Sequence, residues 1–119
     1  IHRNKTAALI RASVRTGALL AGAQPSLLET LSDYGNRIGL AFQVVDDILD
    51  EEGTTEQLGK DAGSDRERGK ATFPAVVGMA ESKRYAQELI ETACGCVREL
   101  GDRGAMLGTI ARFVGTRLF

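Results

Sequence analysis

Gly39-Leu40-Ala41-Phe42-Gln43-Val44-Val45-Asp46-Asp47-Ile48-Leu49-Asp50 is the stretch whose reading decides the fold. Its polar residues Gln43, Asp46, Asp47 and Asp50 recur at i, i+3, i+4 and i+7, so on a helix they share one face. Ile38, Phe42, Val45 and Leu49 recur at i, i+4, i+7 and i+11 and form a separate apolar stripe. A helix of this pattern buries one side in a core and offers carboxylates to a cavity on the other. Carboxylates this close raise one another's pKa unless a cation holds them together. The donors are all oxygen, with no His or Cys beside them, which suits a hard ion such as Mg²⁺ rather than Zn²⁺. Magnesium keeps several waters and is usually held by one or two carboxylates plus substrate phosphates, so the same face points to a phosphorylated ligand. An acidic, solvated helix turn is the competing reading, and Asp-Asp-x-x-Asp by itself gives the two equal weight.

The residues that follow tip the balance. Leu58-Gly59-Lys60-Asp61-Ala62-Gly63-Ser64-Asp65 and Gly69-Lys70-Ala71-Thr72-Phe73-Pro74 place two lysines in a glycine-rich stretch after the carboxylate face. Asp-Asp-x-x-Asp, then Leu-Gly-Lys-x-x-Gly-x-Asp, then Gly-Lys-x-Thr-x-Pro resembles the trans-isoprenyl diphosphate synthases. That is the polyprenyl synthetase family of farnesyl and geranylgeranyl diphosphate synthases. Upstream, His2-Arg3-Asn4-Lys5-Thr6-Ala7-Ala8-Leu9-Ile10 is similar to the family's Lys-Thr-Gly helix, with Ala7 where Gly is common. Tyr34-Gly35-x-x-Ile38-Gly39-x-Ala41-Phe42-Gln43 is similar as well, so the likeness runs from His2 to Pro74.

The resemblance implies an all-α helical bundle of the isoprenoid synthase type, of which residues 1–119 would be the C-terminal part. It implies head-to-tail condensation of isopentenyl diphosphate with an allylic diphosphate and release of diphosphate. By the same resemblance Lys5 would touch the allylic diphosphate, Thr6 would lie beside the reacting carbon, and Gln43 would line the cavity. Asp46, and to a lesser degree Asp47 and Asp50, would carry Mg²⁺, directly or through its waters. Lys60 and Lys70 would act as point charges on phosphate oxygens. The released diphosphate serves the family as the base, in accord with the absence of an obvious general base here. The family's first aspartate-rich motif and arginine pair lie upstream of this stretch. The chain is therefore expected to be a piece of a longer protein, to hold at most half an active site, and to be inactive alone. The whole would be a short-chain, farnesyl-like, cytoplasmic homodimer. Two alternatives are a catalytically inactive partner subunit, which intact Asp46, Asp47 and Asp50 argue against, and a Mg²⁺-dependent terpene cyclase-like enzyme, against which the lysine motifs argue.

Composition agrees. The 119 residues, 43% hydrophobic and 26% charged, suffice for a modest core. A net charge of −1 argues against a nucleic-acid-binding surface. No apolar run approaches the ~18 residues of a membrane helix. Cys94 and Cys96 lie two apart on an expected helix, point in different directions, and read as reduced thiols of a cytosolic protein. Gly69-Lys70-Ala71-Thr72 is not a nucleotide-binding loop, because Ser64 stands where that pattern requires glycine.

Along the chain, a helix is expected from about Asn4 to Leu20 and is broken at Gly22-Ala23-Gln24-Pro25. A second runs from about Ser26 to about Glu51 and ends at Gly53, after which Thr54 or Thr55 would cap a short turn. Gly35 and Gly39 give it a smooth patch for close approach. Gly59 to Thr72 reads as a functional loop. Its Lys60 and Lys70 would be ordinary solvated lysines were the carboxylate motif not beside them, and Asp65 is expected either to order it or to contact a water on the metal. A short helix over Phe73–Met79 follows. An amphipathic helix over Glu81–Leu100 repeats Tyr85, Leu89, Ala93 and Val97, with Gly101 as its stop. A last helix over Asp102–Leu118 is expected to turn Met106, Leu107, Ile110, Phe113 and Val114 inward. Nothing alternates with period two, so the fold class is all-α.

Overall fold

The computed structural model describes residues 2–56 and 71–118. All regular structure among them is helical: α1 (His2–Leu20), α2 (Pro25–Glu56), α3 (Phe73–Val77), α4 (Met79–Arg98), a 3₁₀ turn (Gly101–Gly104) and α5 (Ala105–Thr116). Lys60, Lys70, Asp65 and most of the expected functional loop lie outside the described residues.

Where α1 stops, Gly22 takes φ +74. Its N–H donates to Leu19 O at 3.1 Å and the Ala23 N–H donates to Ala18 O at 3.0 Å. This paired closure satisfies the last carbonyls of the helix, and only glycine enters the left-handed region at little cost. Pro25 then opens α2, where its fixed φ suits a first turn and its missing N–H is not needed.

α2 is the central helix, packed by α1, α3, α4 and α5. Of its expected stripe, Ile38 and Val45 are buried, while Phe42 and Leu49 only border the core. Tyr34, Ala41, Val44 and Ile48 are buried as well, because neighbours on two sides cover more of α2 than one stripe. Packed on both α2 and α5, α4 buries Ser82, Ala86, Leu89, Ile90, Ala93 and Val97, a wider face than the expected ridge. The buried Ser82 hydroxyl donates to Gly78 O at 2.8 Å, so its polarity is satisfied within its own first turn.

Glycines set the closest approaches. A Cβ on Gly39 would sit 3.1 Å from the Cα and carbonyl oxygen of Ala7, and one on Gly35 would sit 3.2 Å from Arg11 Cα. The expected smooth patch is therefore where α1 crosses α2. Between α4 and α5, Gly101 takes φ +61, and a Cβ on Gly104 would collide with the Val97 carbonyl.

Three sequence expectations need correcting. α2 does not end at Gly53 but continues through Thr54 and Thr55 to Glu56, and the turn expected to be capped by those threonines lies outside the described residues. Glycine ends a helix by entering the left-handed region, and Gly53 keeps an ordinary φ. The short helix stops at Val77: Gly78, at φ +92, separates it from Met79, which begins α4. The inner face of α5 is Gly108, Ala111, Val114 and Gly115, whereas Met106, Ile110 and Phe113 are 68%, 44% and 66% exposed. The small residues win the interface because a Cβ on Gly115 would already lie 2.8 Å from Ile90 Cδ1.

Candidate functional site

The carboxylates of α2 fan out, and several described elements come to meet them. Asp46 is half-buried, and its Oδ1 accepts from a guanidinium N–H of Arg117, beyond the end of α5, at 2.8 Å. Asp47 is 8% exposed, and its Oδ2 accepts from the backbone N–H of Phe73 at 3.0 Å. Glu51 Oε1 accepts from the Thr72 hydroxyl at 3.4 Å, and Glu52 pairs with Lys83 of α4 at 2.8 Å. Consecutive turns of one acidic helix are thereby tied to α3, α4 and the end of α5. This spreads like charges that would otherwise repel.

Local chemistry explains the Asp47 contact. Thr72 caps α3, its Oγ1 accepting from Ala75 N–H at 3.2 Å, with Pro74 in the first turn. Phe73 N–H, at the first helical position, has no partner inside α3 and takes the Asp47 carboxylate instead. The Phe73 ring tilts against Tyr85, centroids 5.8 Å apart, and holds α3 to α4.

Gln43 is half-buried one turn before the aspartates on α2. The crossing of Ala7 over Gly39 brings the first turns of α1, with exposed Lys5 and half-buried Thr6, beside the turn of α2 that leads to Gln43. Gln43 and Asp46 follow Gly39 along α2, and Lys5 and Thr6 precede Ala7 along α1, on either side of the point where the two helices cross. Asp46 is bonded toward the end of α5 and Asp47 toward α3. Among the described residues no group of three or more His, Cys, Asp or Glu is arranged around one point as a complete metal cage. Both cysteines are free: Cys94 S–H points to Gly108 O at 3.8 Å and Cys96 S–H to Asp33 Oδ2 at 3.5 Å. Burial, with Asp33 beside it, pushes the Cys96 thiol up.

No motif in the sequence marks Arg117 or Lys83 as a member of this face. Their partners lie 71 and 31 positions away, and no short spacing encodes such contacts. No described helix is long and apolar enough to cross a membrane.

Comparison with known proteins now bears on this geometry. A family profile described as Polyprenyl synthetase matches residues 1–102. The chain is 44% identical over 117 residues to a dimethylallyltranstransferase of Fischerella ambigua, covering 98% of this chain and 34% of that protein. It is 48% identical over 104 residues to a farnesyl diphosphate synthase of Escherichia coli, covering 87% of this chain and 35% of that one. It is 42% identical over 117 residues to a geranylgeranyl diphosphate synthase of Cyanophora paradoxa, covering 98% and 39%. The chain spans little more than a third of the length of these curated relatives.

Proposed function

The chain belongs to the polyprenyl synthetase family, and from that premise we propose that it is the C-terminal part of a trans-prenyltransferase. The reaction is condensation of isopentenyl diphosphate with an allylic diphosphate, with release of diphosphate. The observation that carries the reading is the presentation of Gln43 and Asp46 on one buried helix, crossed at Gly39 by the turn of α1 that holds Lys5 and Thr6. Relatives named as farnesyl and geranylgeranyl diphosphate synthases support the substrate class.

Breaking the allylic C–O bond separates a carbocation from a diphosphate anion, and that charge separation dominates the barrier. Groups that meet the charge as it develops lower the barrier more than groups that bind the ground state. Lys5, Lys60 and Lys70 would supply fixed positive charge to phosphate oxygens. The Thr6 hydroxyl and Gln43 amide would turn dipoles toward the cation without attacking it. Asp46 would hold Mg²⁺, with Asp50 near it, while Asp47 fixes the local backbone through Phe73. The donor chemistry fits that ion: the oxygens are hard, and Asp46 is half-exposed on a rigid helix rather than consumed by backbone contacts. When bound, Mg²⁺ supplies charge that neutralises the leaving diphosphate. A cage of several carboxylates is not needed, since magnesium commonly takes one or two and completes its shell with water and phosphate. A cytoplasmic homodimer belongs to the same proposal.

The test is prenyl transfer by the complete polypeptide, following label from isopentenyl diphosphate into longer diphosphates. Asp46→Asn and Lys60→Ala should each lower turnover by roughly 10² or more, with far-UV circular dichroism unchanged. Full turnover in both variants overturns the site assignment. Products made without isopentenyl diphosphate would indicate a cyclase instead, and no turnover in the parent would indicate an inactive subunit.

A further inference from the structure

Arg117 has no part in the chemistry just proposed, yet it is the cation held against Asp46. Its guanidinium lies 2.8 Å from Asp46 Oδ1 and 5.1 Å from the centre of the Phe42 ring. Phe42 and Asp46 are successive-turn neighbours on α2, so a single guanidinium spans the charged and aromatic groups of one helix edge. The residue is also delivered firmly. Val114 is 8% exposed, Gly115 lies against Ile90, and Leu118 packs on the core cluster that includes Val45 and Ile48. Val114 and Gly115 before Arg117 are buried and Leu118 after it packs against the core, so Arg117 is anchored on both flanks.

We propose that Arg117 is a positioning residue that acts through Asp46 as a stand-in counter-cation. It holds and neutralises the carboxylate before a divalent ion arrives, and the ion must displace that charge or share it. This inference rests on the assignment of Asp46 as the metal-bearing carboxylate. The physical basis is simple: Asp46 carries one negative charge, and a guanidinium already bonded to it reduces the field available to a second cation. Phe42 matters because its ring keeps the guanidinium at the helix edge whether or not the Asp46 bond is made. The pair is partly exposed, with side chains 34% and 40% accessible, so the effect is modest and weakens with added salt.

The experiment is titration of the complete polypeptide with Mn²⁺ alone, reading free Mn²⁺ by electron paramagnetic resonance, without any diphosphate present. Arg117→Ala should tighten Mn²⁺ binding about three- to fivefold, the size expected for losing one half-exposed ion pair. Arg117→Lys should stay close to the parent, and Phe42→Leu, which keeps the charge and removes its aromatic seat, should fall between. The tightening should shrink in high salt, which a purely structural role for Arg117 would not produce. If Asp46→Asn weakens Mn²⁺ binding but Arg117→Ala leaves it unchanged or weaker, the stand-in role is overturned and the metal assignment survives. If Asp46→Asn also leaves binding unchanged, both fall together.

Discussion

The backbone N–H of Phe73 donates to Oδ2 of Asp47 at 3.0 Å, while the neighbouring Asp46 meets the guanidinium of Arg117. Asp47 is 8% exposed and completes the first turn of α3, whereas Asp46 is half-exposed and faces a side-chain cation. Asp47→Ala should therefore cost about 1–2 kcal/mol of stability, because a part-buried N–H loses a charged acceptor. Asp46→Asn should cost at most about 1 kcal/mol, the value of a half-exposed ion pair. Urea unfolding of the two variants checks this, and equal losses would show that the two carboxylates share one role.

Much of this arrangement is legible in the sequence, and the failures have physical causes. Glycines at 22 and 101 read as helix stops and both adopt left-handed φ. Gly35 and Gly39 read as a close-approach patch, and α1 crosses there. Gly53 misleads because glycine permits a stop without requiring one. On α5 the hydrophobic pattern selects Met106, Ile110 and Phe113, but helix packing selects Gly108 and Gly115, whose contribution is an absent side chain and leaves no hydrophobic signal. The shared face of Asp46, Asp47 and Asp50 is visible in the spacing, while Arg117, the partner of Asp46, is separated from it by 71 positions.

Two glycines on the α1–α2 pair should respond oppositely to the same change. Gly17 has open space where a Cβ would go, so Gly17→Ala should gain about 0.5–1 kcal/mol from reduced unfolded-state freedom and better helix propensity. At Gly39 the new Cβ would press on Ala7 backbone atoms at 3.1 Å, which cannot swing aside. Gly39→Ala should lose about 1–3 kcal/mol by prising α1 from α2. Thermal melts read the two signs directly, as shifts of a few degrees in opposite directions.

Tyr34 supplies a pH dependence. It is 1% exposed, and its hydroxyl donates to Leu107 O at 2.6 Å. Burial, with Cys94 adding, pushes the phenol up to about 12. In the unfolded chain the phenol titrates near 10, so between these values the unfolded state has lost a proton that the folded state keeps. Its contribution is thus fully present below about pH 10 and lost as pH rises toward 12, by on the order of 2 kcal/mol. Tyr34→Phe should remove this component, at a cost of about 1 kcal/mol at neutral pH for the lost hydrogen bond. Unfolding curves from pH 7 to 12 for parent and variant isolate it. An unchanged slope in Tyr34→Phe would refute the assignment.

The last helix gives the sharpest contrast between pattern and packing. Were Phe113 a core residue, truncating it would cost about 3–5 kcal/mol. It is 66% exposed, so Phe113→Ser should change stability by no more than about 0.5 kcal/mol, and Met106→Ser, at a site 68% exposed, by a similar amount. Ala111 is wholly buried beside Tyr34, Ala93 and Val97. Ala111→Leu should force α5 outward and cost about 1–3 kcal/mol or more. The displacement would carry Arg117 away from Asp46, so this variant should also lose the ion pair between the end of α5 and α2. Urea midpoints for the three variants, measured under one set of conditions, distinguish the faces: a large loss in Phe113→Ser with a small one in Ala111→Leu would mean that α5 packs rotated about its axis.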